Sequence, residues 1–219
     1  MYYLIKKIFL IFFILLIFAV PVYSSFEFVI VKYHLGDWYN ARQGVRNFLA
    51  ELQKRTTLRV NTTPIELSMD DERIFRYNFL FINGHVPITM NEREKANFRK
   101  FVLSGGFVFA NDDFGMDESF RKLIGEVFPD YEFRPVPFNH PIYRIFYTFP
   151  EGLPKIHEHD GGPPEGLGIF VDGRLALYYA FNTDIADGWD FPEVHNNPPE
   201  LIEKAYRMGV NIALYSQTY

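Results

Sequence analysis

Two neighbouring aspartates and a histidine have side chains suited to acid-base chemistry. Asp112 and Asp113 follow an apolar run that ends at Ala110, and His85 lies just beyond another apolar run. A carboxylate can act as a general base or bind a substrate, and an imidazole can act as the acid. Because adjacent residues of an extended chain face opposite ways, we expect at most one aspartate to point into a site. The alternative is that one of them caps the helix that follows.

A second candidate for chemistry is a pair of histidines two residues apart. On an extended segment His157 and His159 would face the same side, a spacing that can serve one ion. Together with Asp112 or Asp113 they would form a site in which a divalent metal ion lowers the pKa of a bound water. The same pair could equally be surface histidines that hydrogen-bond loop carbonyls. No cofactor other than this candidate divalent ion is indicated.

Further polar and aromatic residues follow predicted strands and are candidates for binding a ligand. Loop aromatics beside carboxylates suit stacking against a carbohydrate or a peptide. The alternative is that these loops pack against themselves. The candidate ligand-binding residues are Asp37, Trp38, Tyr39, Asn83, Asn111, Asp184 and Trp189.

The elements that must position these residues alternate between strands and helices. Residues 26–33 are typical of a strand buried on both faces, and residues 40–55 carry their apolar side chains on one helical stripe. Further strands are predicted at 58–60, 65–67 and 79–82 and over the apolar run after Gly106. A capping box from Thr89 to Glu92 opens a second helix, and 118–128 forms a third. This alternation predicts a three-layer α/β fold with a mostly parallel sheet.

The second half of the chain does not continue this alternation of strands and helices. Residues 130–166 are rich in proline, which predicts an irregular segment that passes over the top of the sheet. Asp172-Gly173, between two apolar runs, predicts a two-residue hairpin turn near the C-terminus. Pro198 and Pro199 open a last amphipathic helix.

The first 24 residues predict an export signal. Lys6 and Lys7 precede an apolar run over residues 8–20, and Val22 and Ser24 have the spacing of a cleavage site. The run is shorter than the roughly 20 residues that cross a bilayer, although an uncleaved anchor is the alternative. We therefore expect an exported protein, periplasmic or associated with the cell envelope, with a single domain over residues 25–219.

The composition limits the partners and the chemistry. Without Lys6 and Lys7 the chain has 20 basic and 27 acidic residues, a net charge of −7, which disfavours nucleic acid and anionic membranes as partners. Contact with a membrane is expected only through an uncleaved N-terminal signal. The partners that we expect are a small molecule, a glycan or an envelope protein. The absence of cysteine excludes disulfides, a thiolate nucleophile and cysteine-ligated zinc.

Motifs along nearly the whole chain point to one family. They are Gly36-Asp37-Trp38-Tyr39, Asn83-Gly84-His85, residues 105–120, His140-Pro141, and residues 153–161, 187–190, 192–195 and 207–212. Together they resemble the domain of unknown function 4159 family, which occurs in bacterial exported and membrane-linked proteins. The resemblance implies a fold similar to class I glutamine amidotransferases and flavodoxin-like domains, and it implies no known activity. Because this chain has no cysteine, glutamine hydrolysis by a cysteine nucleophile is excluded.

Three functions are compatible with these residues. The first is a ligand-binding protein of the cell envelope whose polar cleft lies at the carboxyl ends of the strands. The second is a metal-dependent hydrolase that acts on an envelope polymer or a carbohydrate. The third is a non-catalytic module that binds a protein partner. Whether the chain is an enzyme stays open at this point.

Overall fold

The computed structural model describes residues 25–34, 36–157 and 161–219. The predicted export segment, residues 1–24, lies outside the described residues, and so does His159 of the predicted histidine pair. Among the helices that are described, none combines the length and the apolar character that crossing a membrane requires.

Strands and helices alternate through most of the described chain, because buried apolar runs alternate with amphipathic segments. Short 3-10 helices at Glu72–Arg76, Pro141–Tyr143 and Asp187–Trp189 interrupt the connections. The strands are β1 (Val29–Lys32), β2 (Ile65–Ser68), β3 (Phe79–Gly84), β4 (Phe107–Asp112), β5 (Arg134–Pro135), β6 (Glu165–Val171) and β7 (Arg174–Phe181). The helices are α1 (Arg42–Arg55), α2 (Glu92–Leu103), α3 (Asp117–Val127), α4 (Pro192–His195) and α5 (Pro199–Thr218).

The described strands form one mixed sheet in the order β2-β1-β3-β4-β7-β6-β5. The five strands from β2 to β7 in this order pair in parallel, whereas β6 pairs antiparallel with both β7 and β5. The expectation of a mostly parallel sheet is therefore wrong. The chain reverses between β6 and β7 at Asp172-Gly173, where both residues have positive φ angles of 51° and 82°. The proline-rich segment that precedes β6 contributes β5, which lies at the edge of the sheet.

Helices cover both faces of the sheet, as the alternation of apolar side chains along the strands requires. Ile30 belongs to the core cluster that includes Phe48 of α1 and Met208 of α5. Its neighbour Val31 belongs to the cluster on the other face, with Phe98 of α2. Burying each large apolar side chain contributes roughly 1.5–3 kcal/mol, so these two layers hold the sheet in place.

The start of α2 differs from the prediction. The cap is Asn91 rather than Thr89, because the Asn91 side chain accepts a hydrogen bond from the Glu94 backbone N at 3.0 Å. The Glu94 carboxylate accepts in return from the Asn91 backbone N at 2.7 Å. A capping box is therefore present, but it begins at Asn91, two residues after the predicted start at Thr89.

Candidate functional site

The carboxyl ends of β1, β3, β4 and β7 bring the polar residues of four loops together. β3 and β4 run in parallel register, with Asn83 opposite Asn111 and Gly84 opposite Asp112. His85 and Asp113, the residues that follow each strand, therefore emerge side by side. This is the edge at which open α/β sheets bind ligands.

Three asparagines tie these loops together beneath the site. Nδ2 of Asn111 donates to Oδ1 of Asn83 at 2.8 Å, and Nδ2 of Asn83 donates to Oδ1 of Asn40 at 2.9 Å. Oδ1 of Asn111 accepts from the backbone N of Ile185 at 2.9 Å. Asn83 and Asn111, both predicted to bind a ligand, are fully buried and hold the loops in place from below.

A cluster of three carboxylates lies above the asparagines. One ligand oxygen from each of Asp113, Asp184 and Asp187 lies within 4.8 Å of the other two, and all three residues are buried. Within the described residues, Oδ1 of Asp113 is buried and has no hydrogen-bond partner. At this separation three buried carboxylates can all stay charged only if a cation compensates them. Without a cation, some of them bind protons and become neutral.

The pKa values follow from this crowding. Burial, and then the charge of Asp113, raises the pKa of Asp184 well above its usual range and that of Asp187 to about 8. Burial alone would raise the pKa of Asp113 as well. The pKa of Asp113 is nevertheless lowered, because hydrogen bonding with Asp184, the charge of His85 and a hydrogen bond from Asn40 together outweigh burial. Without a cation, the cluster therefore holds its negative charge on Asp113 and its protons on the other two carboxyls at neutral pH.

His85 lies at the mouth of this cluster. Its Nδ1 is 2.7 Å from Oδ2 of Asp37 and 3.1 Å from Oδ2 of Asp113, and its backbone N donates to Oδ1 of Asp37 at 3.0 Å. Its Nε2 makes no hydrogen bond within the described residues. The imidazole is therefore oriented on one side by carboxylates and is open on the other, as a general acid or base requires.

A second histidine, His195, closes the opposite side. Its Nδ1 is 3.0 Å from Oδ2 of Asp187, and its Nε2 is 3.2 Å from Oδ2 of Asp190. Its ring lies 5.9 Å from that of His157, centroid to centroid, and Nδ1 of His157 is 2.9 Å from Oδ1 of Asn197. The predicted metal ligand His157 therefore lies behind His195, while the carboxylate cluster itself includes Asp113 and no described histidine.

The space between these groups is a small hollow. Its volume of about 180 Å³ holds roughly six water molecules, or an ion with a small polar group. The side chains of Asn40, His85, Asp113, Asp187, Asp190 and His195 line it.

Several predicted residues lie elsewhere. Oδ1 of Asp112 accepts from the backbone N of Met116 at 3.1 Å, and burial raises the pKa of Asp112 to about 6. Asp112 therefore supports the start of α3 and does not line the hollow. Trp189 is only 1% exposed, stacks on Phe48 at 4.4 Å and donates its Nε1–H to the carbonyl of Ala205 at 3.1 Å. The structure therefore places Trp189, which was predicted to bind a ligand, in the core.

The loop after β1 supplies two aromatic side chains. Trp38 is partly buried and packs against both core clusters, and the guanidinium of Arg42 lies 4.9 Å from its ring. Tyr39 is exposed next to the site residue Asn40. Four residues that line the hollow are not among the predicted site residues: Asn40, Asp187, Asp190 and His195. The Asp187-Gly188-Trp189-Asp190 motif was the signal that could have found Asp187.

Comparison with known proteins places the chain in a family. No curated protein matches it. The family described as "Domain of unknown function (DUF4159)" has a model that matches residues 27–216, which include every residue of the hollow. The chain belongs to the DUF4159 family, as its motifs predicted.

Proposed function

We propose that this protein is a divalent-cation-dependent hydrolase that acts on a carbohydrate. Asp113, Asp184 and Asp187 would hold the cation. The single observation that carries the proposal is the meeting of three buried carboxylates within 4.8 Å, one of which has an oxygen without a hydrogen-bond partner among the described residues.

The donor set fits a hard divalent ion. Carboxylate oxygens suit Mg²⁺, Ca²⁺ and Mn²⁺, and Mn²⁺ also tolerates nearby imidazole. A cation would replace the protons that otherwise compensate Asp184 and Asp187. His195, held between Asp187 and Asp190, would orient Asp187 in the way that outer hydrogen-bond partners orient metal ligands.

The chemistry that such an ion supplies is a bound water with a lowered pKa, which can attack an electrophilic carbon. His85 is the residue for proton transfer at the mouth. Its Nδ1 is fixed by Asp37 and Asp113, so that Nε2 can exchange a proton with a leaving group or with water.

Apolar side chains at the rim support a carbohydrate substrate. Tyr39, Phe191 and Val194 are 52%, 48% and 55% exposed. Val194 lines the hollow, and Tyr39 and Phe191 are the chain neighbours of the lining residues Asn40 and Asp190. Aromatic rings stack on the C–H face of a sugar, and the carboxylates and amides within the hollow can bind its hydroxyl groups.

The fold supports a relationship to flavodoxin-like and amidotransferase-like domains. The part of the sheet that pairs in parallel begins in the order β2-β1-β3-β4, which matches the first four strands of the flavodoxin-like order. We propose this relationship without the cysteine chemistry of amidotransferases, since the chain has no cysteine. We also propose that residues 1–24 direct export to the cell envelope.

Cation binding tests the proposal directly. Protein prepared without an affinity tag and freed of metals is titrated calorimetrically with Mn²⁺, Mg²⁺, Ca²⁺ and Zn²⁺. We expect one site per chain in the wild type and at least about tenfold weaker binding in Asp184→Asn. Asp112→Asn is the matched control, because Asp112 is also buried but is not one of the three clustered carboxylates.

The outcomes separate the functional classes. Cation binding with hydrolysis of a glycan supports the proposal in full. Cation binding and glycan binding without turnover would replace the enzyme with a ligand-binding protein. Equal binding by the wild type and Asp184→Asn would refute the carboxylate centre.

A further inference from the structure

The size of the hollow at His85 and Asp113 limits which part of a carbohydrate can enter it. Its volume is about 180 Å³, and a protein cavity of roughly 150 Å³ takes up a single benzene molecule. A sugar unit has roughly twice as many non-hydrogen atoms as benzene, and the proposed cation with its bound water occupies part of the space. The sugar ring therefore stays at the rim, and only a small substituent of the ring reaches the carboxylates.

The charge of the hollow favours a neutral substituent. Asp113, Asp187 and Asp190 line it, and no lysine or arginine is among the described residues of its wall. Phosphate groups are bound by arginine and lysine side chains in most protein sites. Carboxylates repel a phosphate, sulfate or carboxylate group, and the three clustered carboxylates already balance the charge of one divalent cation. Phosphorylated, sulfated and acidic sugars are therefore poor substrates for this site.

Small apolar side chains form another part of the wall. Ala41, Ala186 and Val194 line the hollow together with the carboxylates. Ala41 and Ala186 are only 5% and 3% exposed and belong to the core cluster that includes Phe48. Such a wall can contact a methyl group, while a carbonyl next to that methyl faces the polar groups. An acetyl group has this combination of methyl and carbonyl.

His85 lies where the bond to the sugar would break. Its side chain is 41% exposed, and its Nδ1 is fixed 2.7 Å from Oδ2 of Asp37. If the ring stays at the rim and the acetyl group enters the hollow, the atom that links them lies at the mouth, beside this imidazole. A histidine in that position can donate a proton to the leaving nitrogen or oxygen.

We propose that the group hydrolysed at this site is an acetyl substituent of a sugar, an inference that rests on the proposed function. The oxygen of a water molecule forms a bond to the acetyl carbon, and the bond from that carbon to the sugar nitrogen or oxygen breaks. One proton of the water passes to that atom through His85, and the other goes to the freed amine or to solvent. The products are acetate and a sugar with a free amine or hydroxyl group. Acetate is anionic, so the carboxylates favour its release.

Release of acetate from two acetylated glycans tests the inference and identifies the linkage. The full chain, loaded with Mn²⁺, is incubated with an oligomer of N-acetylglucosamine and, separately, with O-acetylated xylan. Acetate and the length of the glycan chains are both measured. We expect acetate to be released while the chains keep their length, and the faster substrate shows whether an amide or an ester is the natural linkage.

The outcomes distinguish this inference from the proposed function. If Mn²⁺ binds and the glycan chains become shorter without release of acetate, the inference is overturned and the hydrolase remains. If Mn²⁺ binds and neither glycan releases acetate or becomes shorter, the inference is likewise overturned. If calorimetry shows no binding of Mn²⁺, the proposed function fails as well.

A substitution at Val194 locates the acetyl group. Val194 is 55% exposed, so a smaller side chain there should not disturb the fold. We expect the wild type to release acetate at least about tenfold faster than butanoate from matched glycans, and Val194→Ala to reduce this preference about threefold or more. Val171→Ala, next to the turn between β6 and β7, is the matched control and should keep the preference. Equal preferences in the wild type and Val194→Ala would place the acyl group outside the hollow and overturn the inference.

Discussion

Asp112 and Asp113 are adjacent in the chain, but only Asp113 lines the hollow of the candidate site. Oδ1 of Asp112 accepts from the backbone N of Met116 at 3.1 Å, whereas Oδ2 of Asp113 accepts from Nδ2 of Asn83 at 3.2 Å. The alternation of side chains at the end of an extended strand causes this separation. One pair of aspartates therefore supplies both the start of α3 and the acidic cluster, and each residue provides a control for variants of the other.

Neutralising one carboxyl of the cluster should stabilise the protein when no cation is present. In the folded state Asp184 is held protonated at neutral pH, whereas the unfolded chain would ionise it. Asp184→Asn removes the cost of taking up that proton and keeps an oxygen for the hydrogen bond from Asn111. We expect the free energy of unfolding at pH 7, measured in urea with a chelator, to rise by about 1–3 kcal/mol.

The pH dependence of the same measurement has a defined sign. Because the folded pKa of Asp184 lies well above the unfolded value of 3.8, and that of Asp187 is about 8, their contribution to stability is complete below about pH 4. It is lost as the pH rises towards 8. Asp184→Asn should show a shallower loss over this range than the wild type. A steeper loss, or a variant less stable than the wild type at pH 7, would contradict this account of the cluster.

His195 should raise the affinity for the cation, although it is not one of the three residues proposed to bind it. It bridges Asp187 and Asp190, and Gln at this position can reach only one of the two. We expect His195→Gln to weaken Mn²⁺ binding about 10–100-fold in calorimetric titrations. His34→Gln is the control, because the His34 side chain is 71% exposed and lies beside Glu94. Equal affinities in the two variants would remove His195 from the site.

The turn after β4 should be intolerant of a side chain at Gly115. Gly115 has a φ of 114°, and a Cβ there would lie 2.3 Å from the backbone oxygen of His85. We expect Gly115→Ala to lower the free energy of unfolding by more than about 1 kcal/mol and to weaken cation binding, because the turn carries Asp113.

Gly125→Ala is the matched control for that substitution. Gly125 lies in α3, and a Cβ there meets no atom within 4 Å. Alanine should therefore stabilise the helix by up to about 1 kcal/mol. If both variants change the stability in urea by the same amount and sign, the close approach of the 113–115 turn to His85 is not a constraint.

The alternation of strands and helices could be predicted because periodic patterns encode it. Buried runs such as 79–82 and stripes such as the one in α1 depend only on local residue order, and the pairing of β3 with β4 places Asn83 beside Asn111. From this, the positions of His85 and Asp113 at one edge follow. The edge strand β5 could not be predicted in the same way, because it comes from a segment without a strand pattern.

The full composition of the acidic cluster could not be predicted for a different reason. Asp184, Asp187 and His195 meet through irregular loops, where no periodicity relates sequence spacing to distance. Trp189 was predicted to lie in a binding loop because it stands between Gly188 and Asp190, whereas its indole packs on Phe48 in the core. Polar neighbours indicated an exposed loop, but tertiary packing decided the burial of the ring.

Anomalous diffraction from crystals soaked in Mn²⁺ tests the central claim most directly. We predict a peak bound by Asp113, Asp184 and Asp187, with metal–oxygen distances of about 2.0–2.6 Å. The peak should be absent from crystals of Asp184→Asn and present in those of Asp112→Asn. Soaked wild-type crystals without a peak at these carboxylates, or with Mn²⁺ bound only elsewhere, would contradict the account.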